Sequence, residues 1–296
     1  MKGIILAGGT GSRMLPMTVP VSKQLLPVYD KPMIYYPIST LMLAGITDIL
    51  IITLPDEAVL FQKLLGDGHQ WGVNFQYAVQ PQPEGIPQSF VIAESFIGKD
   101  HVCLMLGDNL LYGQGLRGTL VDAVKEHKDG ATIFVYPVRD PQRYGIVALD
   151  EKGQPTSIKE KPHNPTSNLA VIGIYFYDHH VIEIAKNLSR SARGEFEITD
   201  INQHYLANKK LKVVNLGRGM AWLDTGTPEA LLDANNFIHV LETRQGLKVC
   251  CPEEIAWRLK YIDDKQYENL VLKLQHSPYG KYLLDLLKMK LTYETI

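Results

Sequence analysis

Between residues 8 and 23 the chain gathers groups suited to holding phosphate. Glycines in Gly8-Gly9-Thr10-Gly11-Ser12-Arg13-Met14 let the backbone turn tightly and bring its N–H groups near phosphate oxygens. Arg13 adds a forked cationic donor. Lys23, in Ser22-Lys23-Gln24-Leu25-Leu26-Pro27, brings a second cation, and Pro16, Pro20 and Pro27 stiffen the segment between and after them. Met14 stands where a dinucleotide fingerprint needs its third glycine, and no Gly-Lys-Ser/Thr follows at P-loop spacing, so the run is neither of those motifs. A lone lysine beside a loop is usually surface charge. Glycine loop, arginine and lysine together point to phosphate chemistry.

Phosphoryl-type transfer needs its negative charge neutralised. Mg²⁺ does this with one or two carboxylates and the substrate's own phosphates. Asp108 follows the apolar run Val102 to Leu106, and Asp224 lies in Trp222-Leu223-Asp224-Thr225-Gly226 ahead of a helix. Each also has a plain structural reading: Asp108-Asn109 as a turn, Asp224 as support for the helix start. Two further polar segments follow strand-like runs. Gln80-Pro81-Gln82-Pro83-Glu84-Gly85 offers an amide that can both donate to and accept from a pyrimidine edge. Glu160-Lys161-Pro162 offers a carboxylate for sugar hydroxyls and a cation for a sugar phosphate.

These segments need a scaffold that brings strand ends together. Apolar runs at Gly3–Ala7, Ile49–Thr53, Val73–Val79, Val102–Leu106 and Ala131–Val138 alternate with helical patterns near Glu57–Leu65, from Pro87 through Phe96, and at Leu116–His127. That alternation predicts an α/β fold, a mostly parallel central sheet with helices on both faces, with ligands at the strands' carboxyl ends. From Tyr144 to Leu216 short strands, among them Gly145–Leu149 and Val171–Tyr177, surround polar turns and predict an irregular half that covers the ligand. Thr227 and Pro228 open a helix expected to reach about Glu242. Beyond Gln245 apolar stripes (Leu270, Leu274; Leu283, Leu284, Leu287) predict a helical C-terminal extension. The expected division is 1–244, an α/β domain with its irregular ligand-covering half, and 245–296, an interface or regulatory extension.

The 296 residues are ample for a large α/β core, and a net charge of −2 gives no global field for nucleic acid or an anionic membrane. Phosphate must therefore be bound locally. Three cysteines, two of them adjacent, make a poor disulfide framework, and the apolar N-terminal run is too short for a signal peptide or membrane span. A cytoplasmic protein with no nucleic-acid or membrane partner is expected.

The segment Leu6-Ala7-Gly8-Gly9-Thr10-Gly11-Ser12-Arg13, followed by Lys23 and Pro27, resembles the signature of the sugar-nucleotide pyrophosphorylases. Ser22 to Pro37, with Tyr29-Asp30-Lys31-Pro32-Met33-Ile34-Tyr35-Tyr36, is similar to the long-chain bacterial glucose-1-phosphate thymidylyltransferases. The likeness continues through Asp140–Gly145, Ser191–Asn202, Gly217–Thr227 and Glu253–Arg258 and covers nearly the whole chain. Ile86-Pro87-Gln88-Ser89 departs from the family's usual leucine, alanine, glutamine, alanine.

The resemblance implies a Rossmann-like nucleotidyltransferase fold and transfer of a thymidylyl group from dTTP to glucose 1-phosphate by in-line displacement, giving dTDP-glucose and pyrophosphate. It implies catalytic roles for Arg13, Lys23 and Lys161. Nucleotide binding falls to Gly8, Gly9, Thr10, Gly11, Arg13, Lys23, Gln80, Gly85 and Asp108, with Gln80 and Gly85 reading the base. Sugar-phosphate binding falls to Asn109, Tyr144, Gly145, Glu160, Lys161 and Val171, and Mg²⁺ to Asp108 and Asp224. It further implies a homotetramer on the dTDP-rhamnose route, with a regulatory site of Tyr112, Gly113, Arg218, Glu254, Ile255 and Arg258 for a dTDP-sugar feedback inhibitor. Two alternatives stay open: a related enzyme using UTP or another sugar 1-phosphate, and a non-catalytic sugar-nucleotide sensor on the same fold.

Overall fold

Strand β1 (Lys2–Ala7) shows how the sheet is built. Ile4 and Ile5 are both fully buried but face opposite ways: Ile5 packs with Ile49, Ile51, Cys103 and Met105, Ile4 with Leu50, Ile52, Val102 and Leu104. Successive side chains of a strand point to opposite faces, so a strand apolar at every position needs cover on both. A computed structural model describing residues 1–289 supplies that cover.

The strands that follow are β2 (Pro27–Val28), β3 (Lys31–Pro32), β4 (Asp48–Thr53), β5 (Asn74–Val79), β6 (Val102–Leu106), β7 (Asn109–Gly113), β8 (Ala131–Pro137), β9 (Gly145–Leu149), β10 (Pro155–Glu160), β11 (Leu169–Tyr177), β12 (Leu211–Asn215) and β13 (Met220–Asp224). Nine form the main sheet, in the order β10-β9-β11-β6-β1-β4-β5, with β8 pairing β11 and β12. The centre, β6, β1, β4 and β5, is parallel, as the sequence predicts. At β11 the direction reverses, for this strand runs antiparallel to β6, β8 and β9.

The helices are α1 (Tyr35–Leu43), α2 (Ala58–Leu65), α3 (Gln88–Ile92), α4 (Glu94–Ile97), α5 (Leu116–Glu126), α6 (Val181–Lys186), α7 (Ile198–Ala207), α8 (Pro228–Gln245), α9 (Pro252–Arg258), α10 (Asp264–Leu274) and α11 (Pro278–Met289). One face of the sheet buries Leu41, Phe61 and Leu120 of α1, α2 and α5; the other buries Phe90, Val181 and Ile201 of α3, α6 and α7. The helix expected to run on from Pro87 is two short ones. Ala93 leaves helical geometry at φ −86°, ψ 6°, and no proline or glycine within the run accounts for the break. Thr227 caps α8 as expected, its hydroxyl accepting from the Ala230 N–H at 3.2 Å, and the helix continues to Gln245, three residues beyond the expected end.

Helices α9 to α11 pack into the sheet's own core. Ile255, Ala256, Tyr267, Val271 and Leu283 belong to the same buried cluster as Ile5 and Ile51. Residues 290–296 of the expected extension lie outside the described residues. A buried charge cluster ties the start of the extension to the β2–β3 hairpin: Lys31 Nζ lies 2.7 Å from Asp30 and 2.9 Å from Glu242, and Lys248 pairs with both acids. No helix among the described residues is long and apolar enough to cross a membrane.

Because the extension and sheet share one core, Leu283→Ala should destabilise the whole chain by about 2–5 kcal/mol, the usual loss for a fully buried leucine. Urea unfolding followed by sheet and tryptophan signals together checks this; a separate early transition confined to the C-terminal helices would show that they fold independently.

Candidate active site

The parallel strands β1 and β6 run in register, Leu6 beside Leu106, so the glycine loop after Ala7 and the Gly107-Asp108 turn after Leu106 open at one sheet edge. The chain then reverses into β7, which pairs antiparallel with β13 in a two-stranded ladder apart from the main sheet. Its register sets Asn109 opposite Asp224 and so brings Asp108 and Asp224 together. Thr225 secures the junction, its hydroxyl donating to the Asp108 carbonyl at 2.9 Å.

The two carboxylates sit close enough to affect each other. Burial, and then the negative charge of Asp108, push the Asp224 carboxyl above the ordinary aspartate value; Lys23, Arg143 and Arg13 pull it back. Lys23, only 7% exposed, holds its Nζ 2.5 Å from Asp108 Oδ2. Among the described residues no group of three or more His, Cys, Asp or Glu is arranged for a metal. A pair of crowded aspartates instead fits a hard cation that completes its shell with phosphate oxygens, as Mg²⁺ does.

A cavity of about 700 Å³ opens beside this pair. Gly9, Thr10, Gly11, Arg13 and Lys23, expected at the nucleotide phosphates, are among its lining residues. So are Asn109, Tyr144, Gly145, Glu160, Lys161 and Val171. Every residue expected at the sugar phosphate thus lines the cavity. Glu160 is held from several sides: Thr199 Oγ1 donates to it at 2.6 Å, and Arg193 and Lys161 lie 3.5 and 3.9 Å away. Asn109 is buried and bonded through both amide atoms. Its Oδ1 accepts from Trp222 Nε1 at 2.6 Å and the Gly173 N–H at 3.1 Å, and its Nδ2 donates to Asp108 at 2.9 Å. Cations and acids balance around the cavity, with Arg13, Lys23, Arg143 and Lys161 against Asp108, Glu160, Glu195 and Asp224.

Gly8, Gln80 and Gly85 are not among the lining residues. Gln80 is 2% exposed and packs beneath Gly8, where a Cβ would fall 2.2 Å from Gln80 Oε1. Gly85 has φ +119° and forms a parallel bridge with Phe196, whose carbonyl a Cβ would strike at 2.2 Å. Its glycine is required by that close approach.

The structure also adds Arg143, Tyr175, Thr199, Asn202 and Trp222 to the lining, none of which sequence reasoning had placed there. Asn202 carried a readable signal, being a polar residue on the buried stripe of α7 with Ile198, Ile201 and Tyr205.

Of the six residues expected at a regulatory site, Gly113 pairs with Met220 and Tyr112 with Ala221 at the end of the β7–β13 ladder reached just after Arg218. Tyr112 donates to Gln245 at 2.9 Å. Glu254, Ile255 and Arg258 lie on α9, with Arg258 Nε donating to Glu254 at 2.7 Å. Glu254 also accepts from Tyr282, and Ile255 is core.

The family model for nucleotidyl transferases matches residues 2–240. A glucose-1-phosphate thymidylyltransferase of Neisseria meningitidis serogroup A is 54% identical over 97% of this chain and all of that protein. One from Mycobacterium tuberculosis is 56% identical over 97% of this chain and 99% of that one. Among solved structures, a Bacillus anthracis chain assigned as a glucose-1-phosphate thymidylyltransferase, in complex with sucrose, superposes with a TM-score of 0.74 at 42% identity, covering 80% of this chain and 94% of that one. A UDP-glucose pyrophosphorylase bound to UDP-glucose, at 23% identity and a TM-score of 0.70 over 81% of this chain and 98% of that one, shares the fold.

Asp224 carries a pH signature. Its carboxyl keeps its proton to higher pH when folded than when unfolded, so its contribution to stability is present at low pH and is lost as pH rises from the ordinary aspartate value through its raised one. Asp224→Asn should remove that loss and leave the chain more stable at neutral pH. Thermal midpoints measured across the acid range compare the two; a parallel decline in both would place the pH sensitivity elsewhere.

Proposed function

The chain belongs to the nucleotidyl transferase family, and from that premise we propose that it transfers a thymidylyl group from dTTP to α-D-glucose 1-phosphate, giving dTDP-glucose and pyrophosphate. One observation carries the reading: the Asp108–Asp224 pair stands in one cavity between the Gly9–Arg13 loop and the Glu160–Lys161 wall. Relatives named glucose-1-phosphate thymidylyltransferase, 54–56% identical over nearly the whole chain, support the choice of substrates.

Catalysis is by positioning and charge, with no covalent intermediate on the enzyme. Glu160, fixed by Thr199, accepts from sugar hydroxyls, and Lys161 holds the sugar phosphate. A phosphate oxygen of the sugar attacks the α-phosphorus in line, the bond to the β-phosphate oxygen breaks, and pyrophosphate leaves toward Arg13. Lys23 neutralises the transferring phosphate from its seat beside Asp108. Mg²⁺, held by Asp108 and Asp224, supplies further neutralisation of phosphate charge when bound. Gln80 and Gly85 are assigned to the base.

The proposal extends to regulation and setting. Tyr112, Gly113, Arg218, Glu254, Ile255 and Arg258 are assigned to a second nucleotide site for a dTDP-sugar such as dTDP-rhamnose, in a homotetramer for which the segment beyond 245 serves as interface and regulatory element. The joining of β7 to β13 near Arg218 supports placing Tyr112 and Gly113 beside Arg218. A cytoplasmic setting accords with three buried, unpaired cysteines.

Pyrophosphate release across nucleotide and sugar-phosphate pairs tests the activity, with dTTP and glucose 1-phosphate expected to lead and chelation of divalent metal to abolish turnover. Asp108→Asn and Asp224→Asn should each cost roughly 10²–10³ in rate. Near-normal turnover in both, or a clear preference for UTP, would overturn the assignment. For regulation, Arg258→Ala should relieve inhibition by dTDP-rhamnose while leaving uninhibited turnover nearly unchanged. Undiminished inhibition, strictly competitive with dTTP, would reject a second site.

A further inference from the structure

The Gln80–Glu84 segment holds a polar chain that the mechanism above does not use. Gln88 Oε1 accepts from the backbone N–H of Glu84 at 3.2 Å and from Gln80 Nε2 at 2.6 Å, and Gln88 Nε2 donates to Glu84 Oε2 at 3.0 Å. Glu84 is in turn ion-paired to Arg190, whose guanidinium lies over the Phe196 ring at 4.7 Å.

An isolated glutamine amide can be turned end for end, but this one cannot. A backbone N–H only donates and a carboxylate only accepts. With one of each on Gln88, a reversed amide would set NH₂ against N–H and oxygen against carboxylate. The sense of Gln88 is therefore fixed by the covalent identity of its neighbours. Its oxygen must meet Gln80, so Gln80 must offer its NH₂ there. The Gln80 carbonyl is left turned the other way, against Gly8 at the start of the phosphate loop. At 2% exposure Gln80 has no water to take over these bonds if it flips.

We propose that Gln88 and Glu84 are positioning residues for base choice: they lock Gln80 with its carbonyl facing Gly8, at the loop assigned to the nucleotide, so that the site takes a pyrimidine bearing N3–H and refuses one whose N3 is a bare acceptor. The inference rests on Gln80 as the base reader. The same segment contributes Pro83 and Ile86 to the cavity wall, which puts the base beside it. Thymine and uracil present N3–H and are accepted alike by this relay, whereas cytosine meets the carbonyl acceptor to acceptor.

The experiment is kcat/KM of the full chain for dTTP, dUTP and dCTP with glucose 1-phosphate. Gln88→Met removes both anchors and should lower the dTTP:dCTP ratio roughly tenfold, the worth of one oriented hydrogen bond, while dTTP:dUTP stays put. The exchange Gln88→Glu with Glu84→Gln keeps an acceptor for the residue-84 N–H and for Gln80 and a donor–acceptor pair between the two side chains, so it should keep the parental ratio. Glu84→Met, on the exposed side of the relay, is read in the same way if Gln88→Met does not fold. A purely structural role would slow all three nucleotides in proportion. An unchanged dTTP:dCTP ratio in the relay variants with a reduced one in Gln80→Ala overturns the relay and leaves the base reader standing. A ratio unchanged in Gln80→Ala as well overturns both. Equal loss of selectivity in Gln88→Met and in the Gln88→Glu, Glu84→Gln exchange also overturns the relay, because only the first removes the acceptor.

Discussion

The active site depends on the register of one short ladder. With Asn109 opposite Asp224, two carboxylates from distant parts of the chain are pressed together at the sheet's edge. A slip of one residue in a β-ladder turns every side chain to the other face, so this register must be pinned. Asn109 helps to pin it, bonding at once to Asp108, to Trp222 on the opposite strand and to Gly173 on β11. Burial first, and then the crowding with Asp108, raises the Asp224 carboxyl, and Lys23, Arg143 and Arg13 are the groups that offset it. The cations a phosphate would meet are thus the same ones that make the aspartate pair tolerable.

What the sequence discloses follows from how local each signal is. The glycine loop, the strand ends at Ala7 and Leu106, and the cap at Thr227 each depend on a few neighbouring residues, and each lies where the sequence puts it. The meeting of Asp108 and Asp224 could not be read this way. It rests on β7 and β13 pairing outside the main sheet, and nothing within either segment names its partner. The sugar wall was legible as candidates, Gly145, Glu160 and Val171 among them, but its supports were not. Thr199 and Arg193 reach Glu160 from a segment whose own sequence reads as a polar loop and a helix start. Trp222 gave a fainter hint, since a half-buried indole N–H needs an acceptor. The helix break at Ala93 had no local sign at all.

Two halves of the sheet divide the labour. The parallel half ends in the phosphate loop and Asp108. The antiparallel half, turned around β11, carries Gly145, Glu160 and Val171. Strand β11 is the seam, bonded to β6 on one side and to β8 and β9 on the other, so the spacing between the two ends of the cavity is set by the hydrogen-bond geometry of one sheet. A second tie crosses from the Glu84–Gly85 turn to Arg190 and Phe196, again joining the two halves, this time through the loops.

The even match of four cations and four acids around the cavity has a consequence for what is kept out. A pocket with a surplus of positive charge would draw in any small anion at hand, inorganic phosphate included. Here the pocket is zwitterionic. A simple anion entering beside Lys23 shares that lysine with Asp108 and gains less net attraction than a bare cation would give. A visitor that brings both signs, a polyphosphate with its counter-cation, finds each of its charges answered by an opposite one already in place. Selection then acts on the whole ion pair, and the common anions of the surrounding solution compete poorly for a site whose charges already answer one another.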